Sequence, residues 1–471
     1  MSSLAVALPS GLPNGLPQPP SDATLAALRR DLEREQAELE LLGSERSADL
    51  QRLSRDFFAY SPVLAPLFEG RHAQLVARPT SVEQVMAVAA ACARLQVPLT
   101  CRGGGTGNYG QCVPLAGGVV LDLSGLNRLR QLDRTAGVIT VEAGALMGDL
   151  ERQLAPAGRA LRLMPSTLRS ASIGGFIAGG SVGIGSQRWG ILRDPGNLLG
   201  LEVVTLEATP RLLNLDAASS EPLNHAYGTN GIITALTLPT TEAIDWVQVV
   251  VGFDAWEQAL SAAQSVSRWA IELNSVNLLE APVASAMPWP AGCPQATGEH
   301  RLLLLAHPAA MAVLPARLMQ LGGTLLWQEP QSSSKGIPLR ELGWNHTTLH
   351  WRSDNPAWTY LQLLLPQNEG ACLVELRRRW GSAIHWHLEG IKQQGSQRLV
   401  CLPLIPWQGR ERLEQLITHC RELGAFLFNP HVFTVEDGGL GVVDADQVSA
   451  KAAYDPGGLL NPGKLRGWQE R

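Results

Sequence analysis

Arg102-Gly103-Gly104-Gly105-Thr106-Gly107-Asn108-Tyr109-Gly110 is the stretch on which the reading of this chain turns. Five of its nine residues are glycine, so much of the backbone carries no Cβ and is free to aim successive N–H groups at an anion. Arg102 adds a fixed positive charge. The same stretch contains Gly105-x-Gly107-x-x-Gly110, which matches the dinucleotide fingerprint of a Rossmann unit. That reading requires a helix to open inside the glycine run. The chain instead continues as Gln111-Cys112-Val113-Pro114-Leu115-Ala116-Gly117-Gly118 and then Val119-Val120-Leu121-Asp122-Leu123, a β-branched apolar run with the look of a strand. The expected unit is strand, glycine loop, strand, with a phosphate cradle in the loop. A tight connection without a ligand is the alternative.

Outward from the loop, apolar runs alternate with helical spacing: strand 75–77, helix 82–95, strand 97–101, then strands 119–123 and 138–142, an α+β pattern. A helical stretch comes next at 147–154. A second glycine-rich segment, Ala171–Gln187, has six glycines interleaved with Ser172, Ser181 and Ser186 and reads as a loop region. Glycine there lets backbone approach a planar ring system closely.

The 471 residues allow two or three domains with sizeable cores. A net charge of −5 argues against a nucleic-acid backbone or an anionic membrane as the main partner, and no run of about 20 apolar residues supplies a membrane span. Seven cysteines without a C-x-x-C pair give no usual zinc or iron–sulfur spacing, and an odd, scattered set points to reduced thiols in a cytoplasmic setting. Residues 1–22 are rich in Pro, Gly and Ser, lack the features of a signal peptide and read as a disordered tail. Residues 23–58 read as a charged helical segment with a leucine stripe (Leu25, Leu28, Leu32, Leu39, Leu42) that packs on the main body or serves an oligomer or partner subunit.

From about Val76 to Pro239 the chain resembles the PCMH-type FAD-binding domain of the vanillyl-alcohol oxidase family. Five segments carry the resemblance in order: Ala77-Arg78-Pro79-Thr80-Ser81, the glycine loop, Pro165-Ser166-Thr167 through Ser172-Ile173-Gly174-Gly175, Tyr227–Thr234, and Asp455–Lys464 with Asn461. The resemblance implies FAD as cofactor, held by Pro79, Arg102, Gly103, Gly104, Gly105, Thr106, Gly107, Asn108, Pro165, Ser166, Ser172, Gly174, Gly175, Gly180, Gly231, Ile232, Ile233 and Asn461, with Arg193 and Asp194 either at the site or pairing to close the loop. Family members with covalent FAD place a histidine in the loop. Thr106 stands at that position, which implies non-covalent FAD.

Beyond Pro239 come two βαββαβ patterns, the first from Val247 to Gln328 and the second from Thr359 to Asn429. Side by side they would make the large antiparallel sheet of the cap that the family places over the flavin. The expected architecture is therefore α+β: FAD-binding domain 59–240, cap 241–435 and C-terminal return 436–471.

Oxidation at a flavin needs a base for the hydroxyl or amine proton. The candidates are His346 and His350 in Trp344-Asn345-His346-Thr347-Thr348-Leu349-His350, His431, and Glu436 at the start of the return segment. Each histidine has a plain structural counterpart. His385 and His387, expected on one strand face, would need a further ligand to hold a metal, and none is expected. The FAD-linked 2-hydroxy-acid dehydrogenases typically carry Gly-Glu-His-Gly before the tail; here Val435-Glu436-Asp437-Gly438 places aspartate at the histidine position. The expected function is FAD-dependent oxidation of an organic alcohol or 2-hydroxy acid, with electrons passing to an unidentified acceptor. The alternatives are a flavin-binding subunit without its own turnover and an NAD-binding protein using the Rossmann-like match.

Overall fold

The computed structural model describes residues 7–180 and 182–470, so residues 1–6 of the tail and Ser181 of the second glycine segment lie outside it. Three parallel strands, Leu75–Arg78, Val119–Asp122 and Leu99–Arg102, lie side by side in that order, and Glu40–Leu42 extends the sheet antiparallel to the first. The helix Val82–Leu95 makes the first crossover. It starts at Ser81, whose hydroxyl accepts from Gln84 N, and stops at Gln96 in the left-handed region (φ 54°). Its Val85, Val88, Ala89 and Cys92 are buried with Leu75, Leu99 and Leu121. The second connection, from Arg102 to Val119, has no helix at all: adjacent parallel strands, which a helix usually joins, are joined by the glycine loop.

Next is a six-stranded sheet in the order Leu129–Asp133, Val138–Glu142, Ile232–Glu242, Gly200–Val204, Leu212–Asp216, with Arg159–Leu161 on the far end of Ile232–Glu242. The second glycine segment is not all loop. It opens a short helix, Ile173–Gly179, and a further turn of helix at Ser186–Trp189. Ile173, Phe176 and Ile177 bury their side chains in the core of this half, and Ser172 accepts from Gly175 N at the helix start; these local gains outweigh the helix penalty of three glycines.

The cap is an eight-stranded sheet ordered Thr324–Pro330, Val247–Phe253, His300–Ala306, Leu273–Leu279, His387–Gln393, Ser396–Cys401, Leu363–Leu364, Phe426–Leu427. The first four strands run in the fourth, first, third, second order of a βαββαβ unit and the last four mirror them, so two units meet along their second strands (Asn277↔Glu389, Leu278↔Leu388, Leu279↔His387). The first unit is regular. The second is broken: the strand expected at 359–365 splits, with Trp358–Tyr360 pairing Leu404–Pro406 in a separate two-stranded sheet. The helices Trp256–Arg268, Glu369–Trp380 and Arg410–Glu422 lie over one face, where Leu304, Leu363, Leu388 and Trp386 are buried.

Both ends of the chain tie into this body. Residues 7–21, expected to be disordered, run along the surface with Leu8 buried, and the Leu8 and Pro9 carbonyls accept from Arg410. The segment 23–58 is not purely helical: the helix Asp22–Glu35, which buries Leu28 and Leu32, gives way to the strand Glu40–Leu42 and the helix Ser47–Leu53. Leu39 and Leu42 of the stripe are buried from the strand side. The return segment carries the helix Ala445–Tyr454 and then pairs with the glycine-loop half, where Leu99 N donates to Leu459 O and Asn461 N donates to Leu99 O. Buried Lys451 binds Asp455 Oδ2 and the carbonyls of Thr229 and Leu460, so its charge is matched inside the fold.

Candidate functional site

The two glycine segments interlock. A Cβ on Gly103 would collide with the Ser172 hydroxyl, and one on Gly104 with the Ser170 carbonyl; no other residue lets these backbones approach so closely. Ser172 Oγ accepts from both Gly104 N and Gly175 N at 3.2 Å. The preceding segment threads over the loop, where Phe57 N donates to Gly107 O at 2.7 Å. Arg102 turns back under Gly105 and donates to Arg55 O at 2.5 Å and Cys112 Sγ at 3.3 Å.

Between these loops, the return segment and the cap sheet lies a cavity of about 590 Å3. Of the residues expected at a flavin, Arg102 through Asn108, Pro165, Ser166, Ser172, Gly174, Gly175, Gly180, Arg193, Gly231 and Ile233 line it. Pro79, Asp194, Ile232 and Asn461 do not. Pro79 packs its carbonyl beside Gly125, and Ile232 is core. Asp194 accepts from Ile191 N, while Arg193 pairs with Glu221 at 2.9 Å, so these neighbours form no ion pair with each other. Asn461 Nδ2 staples the return segment to both loops through Gln111 O (2.8 Å) and Tyr227 O (2.7 Å).

The catalytic candidates fall differently. His346, His350 and His431 do not border the cavity. His346 Nδ1 lies 2.6 Å from Glu341 O, and His350 packs beside it. His431 is fully buried, held between Ser61 Oγ (2.8 Å) and Tyr360 O (2.9 Å), and burial lowers its pKa to about 4. These bonds make His431 a clasp between the N-terminal segment and the cap. Glu436 does border the cavity. Burial raises its pKa, yet its two oxygens accept from Arg466 N and Gly467 N, opening the last helix turn. His385 and His387 do not share a site: the first stacks on Trp358, the second bonds Thr347 Oγ1 and Glu389. Among the described residues no three His, Cys, Asp or Glu are placed to hold a metal ion.

Sequence reasoning does not single out several cavity residues, although Tyr109 and Tyr227 sit in segments that carry the resemblance. Tyr109 reaches from the glycine loop to the cap and donates to Gln362 Oε1 at 3.1 Å, and Gln362 donates to Asn345 Oδ1 at 3.3 Å. Trp344 beside Asn345 holds a strained backbone (φ 52°, ψ −139°), anchored by its N–H to Glu389 Oε1 at 2.6 Å. The Tyr227 hydroxyl is buried on the cavity wall without a hydrogen-bond partner, and burial pushes its pKa well above 10, so it stays protonated. Asn108 Nδ2, Gln111 Oε1 and Asp56 Oδ2 are likewise buried and unpartnered around the loop. Burial raises Asp56 to about 6 against the pull of Lys464 and Arg102. Buried polar atoms without partners are rare, and a cluster of them around a glycine cradle is what a polar, phosphate-bearing ligand would satisfy.

Comparison with known proteins agrees with this geometry. Residues 73–214 match the model of an FAD binding domain. A 192-residue stretch is 30% identical to the glycolate oxidase subunit GlcD of Escherichia coli K12, covering 39% of this chain and 38% of that one. A 175-residue stretch is 29% identical to D-lactate dehydrogenase of Anaerostipes hadrus, covering 36% and 37%. The matched stretch thus spans little more than a third of these curated relatives. Among solved structures, an alkyldihydroxyacetonephosphate synthase superposes with a TM-score of 0.71 at 15% identity over 97% of this chain and 87% of its own. The Physcomitrella patens BBE-like 1 variant gives 0.62 at 14% identity, over 93% and 98%. Residues 73–214 are therefore an FAD-binding domain whose cofactor is FAD, and the chain as a whole shares the fold of these two solved structures.

Proposed function

We propose that the chain is an FAD-dependent oxidoreductase that oxidises a CH–OH group, an organic alcohol or a 2-hydroxy acid. The observation that carries this reading is the cavity walled on one side by the flavin loops and on the other by the cap sheet. Bound FAD supplies a two-electron acceptor. With FAD bound, an alcohol would become a carbonyl compound, its C–H passing as hydride to the flavin and its hydroxyl proton to Glu436, the expected base candidate that borders the cavity. The protein's part is to hold the alcohol with its C–H toward the ring and to exclude water. Tyr227 is suited to hold the substrate oxygen, because its protonated hydroxyl stands unpartnered on the wall. The curated relatives, named as glycolate, D-lactate and D-2-hydroxyglutarate enzymes, support the same reaction class.

FAD is held without a covalent bond in this reading, with Thr106 at the loop position; acid precipitation releases intact FAD into the supernatant. Anaerobic mixing with a panel of alcohols and hydroxy acids tests the activity: one class bleaches the flavin absorbance. In Tyr227→Phe the bleaching, normalised to flavin content, slows by about tenfold or more. A flavin that dithionite reduces and no member of the panel does contradicts the reading. A second reading, a flavin-carrying subunit that turns over only beside a partner, is supported by the relative named as a subunit of glycolate oxidase. It predicts bleaching without steady-state turnover until the partner is added.

A further inference from the structure

Resting on the oxidoreductase reading, we infer that the substrate is a neutral alcohol with an apolar body and that a 2-hydroxy acid is rejected. The cap presents to the cavity Leu363, Leu364, Ile391, Val400, Leu402 and Phe428. Among them stand three amides, Asn345, Gln362 and Gln393, with the Trp344 indole and the Cys401 thiol, and none of these is a charged side chain. No lysine, arginine or histidine of the cap borders the space among the described residues. Arg398, opposite Ile391 on the same sheet face, donates through Nη2 to Leu365 O and does not reach the cavity.

Two arginines border the cavity from the flavin side, and both are engaged. Arg102 is folded under Gly105 onto Arg55 O, and Arg193 holds Glu221, Glu221 O and Asn224 O. His225, also on the wall, is kept neutral above a pKa of about 4 by burial. The return segment brings two carboxylates to the lining, Glu436, whose oxygens accept from Arg466 N and Gly467 N, and Asp444, which lies 4.0 Å from Arg193. A substrate carboxylate entering this space would lose its hydration and find no free cation to pair with among the described residues that line it. An uncharged alcohol loses little. The mouth itself is apolar where it is most open: Leu440 and Val442 line the cavity and remain 64% and 63% exposed, ready to be covered by an apolar body.

The recognition is thus by apolar contact for the body and by Tyr227 for one hydroxyl, a pattern that discriminates against an added charge rather than against size. The test uses the purified holoprotein and matched pairs that differ by a carboxylate: 1-phenylethanol against mandelate, and 2-butanol against 2-hydroxybutyrate. Flavin bleaching is followed anaerobically in stopped flow. The neutral member is expected to reduce the flavin at least about tenfold more efficiently than its acid in each pair. Equal or faster reduction by the acids overturns this inference and leaves the oxidation of CH–OH groups standing. Reduction by neither class, with dithionite reduction intact, overturns the oxidation reading and this one with it.

Discussion

The two walls of the cavity are built on opposite terms. The flavin wall is backbone: Gly103 and Gly104 meet Ser170 and Ser172 where no Cβ fits, and the polar atoms left over, Asn108 Nδ2, Gln111 Oε1 and Asp56 Oδ2, have no partner within the protein. The cap wall is side chain: Ile391 and Val400 on neighbouring strands and Leu402 just beyond, with Gln362 already bonded to Tyr109 and Asn345. A wall that leaves donors and acceptors open is specific for a cofactor that brings its own; a wall that closes them selects by shape and by the absence of charge.

The largest effect that would break this comparison is expected at Gly104. In Gly104→Val the branched side chain would drive into the Ser170 carbonyl and part the two loops. The folded protein should purify with less than about a tenth of wild-type FAD, read from the ratio of flavin to protein absorbance, because the site depends on close backbone approach. Retained flavin would show that the interlock is not the cradle.

His431→Ala sharpens the contrast from the other side. The side chain joins Ser61 to Tyr360 from a fully buried position, so its loss removes two hydrogen bonds and leaves a hole, costing roughly 2–4 kcal/mol of stability. Chemical denaturation should show that loss, while flavin reduction in the remaining folded protein stays within about threefold of wild type. A hundredfold fall in reduction rate at full FAD loading would restore His431 as a base.

Lys464 gives a pH test of how dry the space behind the glycine loop is. Its ammonium is buried against Phe68 and Phe433, and desolvation lowers its pKa to about 7 despite Asp56. The unfolded chain, with an ordinary lysine at 10.5, therefore binds more protons between these values, so stability rises as pH increases from about 7 toward 10.5. In Lys464→Met that rise should flatten, measured as Tm against pH. An unchanged slope would mean that Lys464 is hydrated.

The smallest effect is expected at His346. Its ring leans on Glu341 O outside the cavity, so His346→Ala should change anaerobic flavin reduction by less than about threefold.

The difference between the walls also explains what could be read in advance. Glycines 103, 104, 105 and 107 are a backbone requirement written directly into sequence, and the strands on either side arise from their apolar runs. The helix Ile173–Gly179 hid inside a glycine-rich segment because tertiary burial of Ile173 and Phe176 overrode propensity. On the cap side, Val400 at the cavity and Leu388 in the core are both apolar residues on paired strands, and the position of the cavity decides between them. The histidines mislead for a related reason: His431 and a catalytic imidazole look alike until Ser61 and Tyr360, 370 and 71 residues away in sequence, are brought beside it. Gln362 becomes a site residue only when the cap folds over the loop.

The most direct test of the central claim is a crystal structure of the FAD-loaded protein. The pyrophosphate is expected against the backbone of Gly103–Gly107, and the isoalloxazine ring between the Ser172–Gly175 turn and the Leu402 and Ile391 face of the cap, within about 4 Å of both. An isoalloxazine lying outside this cavity, or a pyrophosphate that leaves the glycine loop untouched, would contradict it.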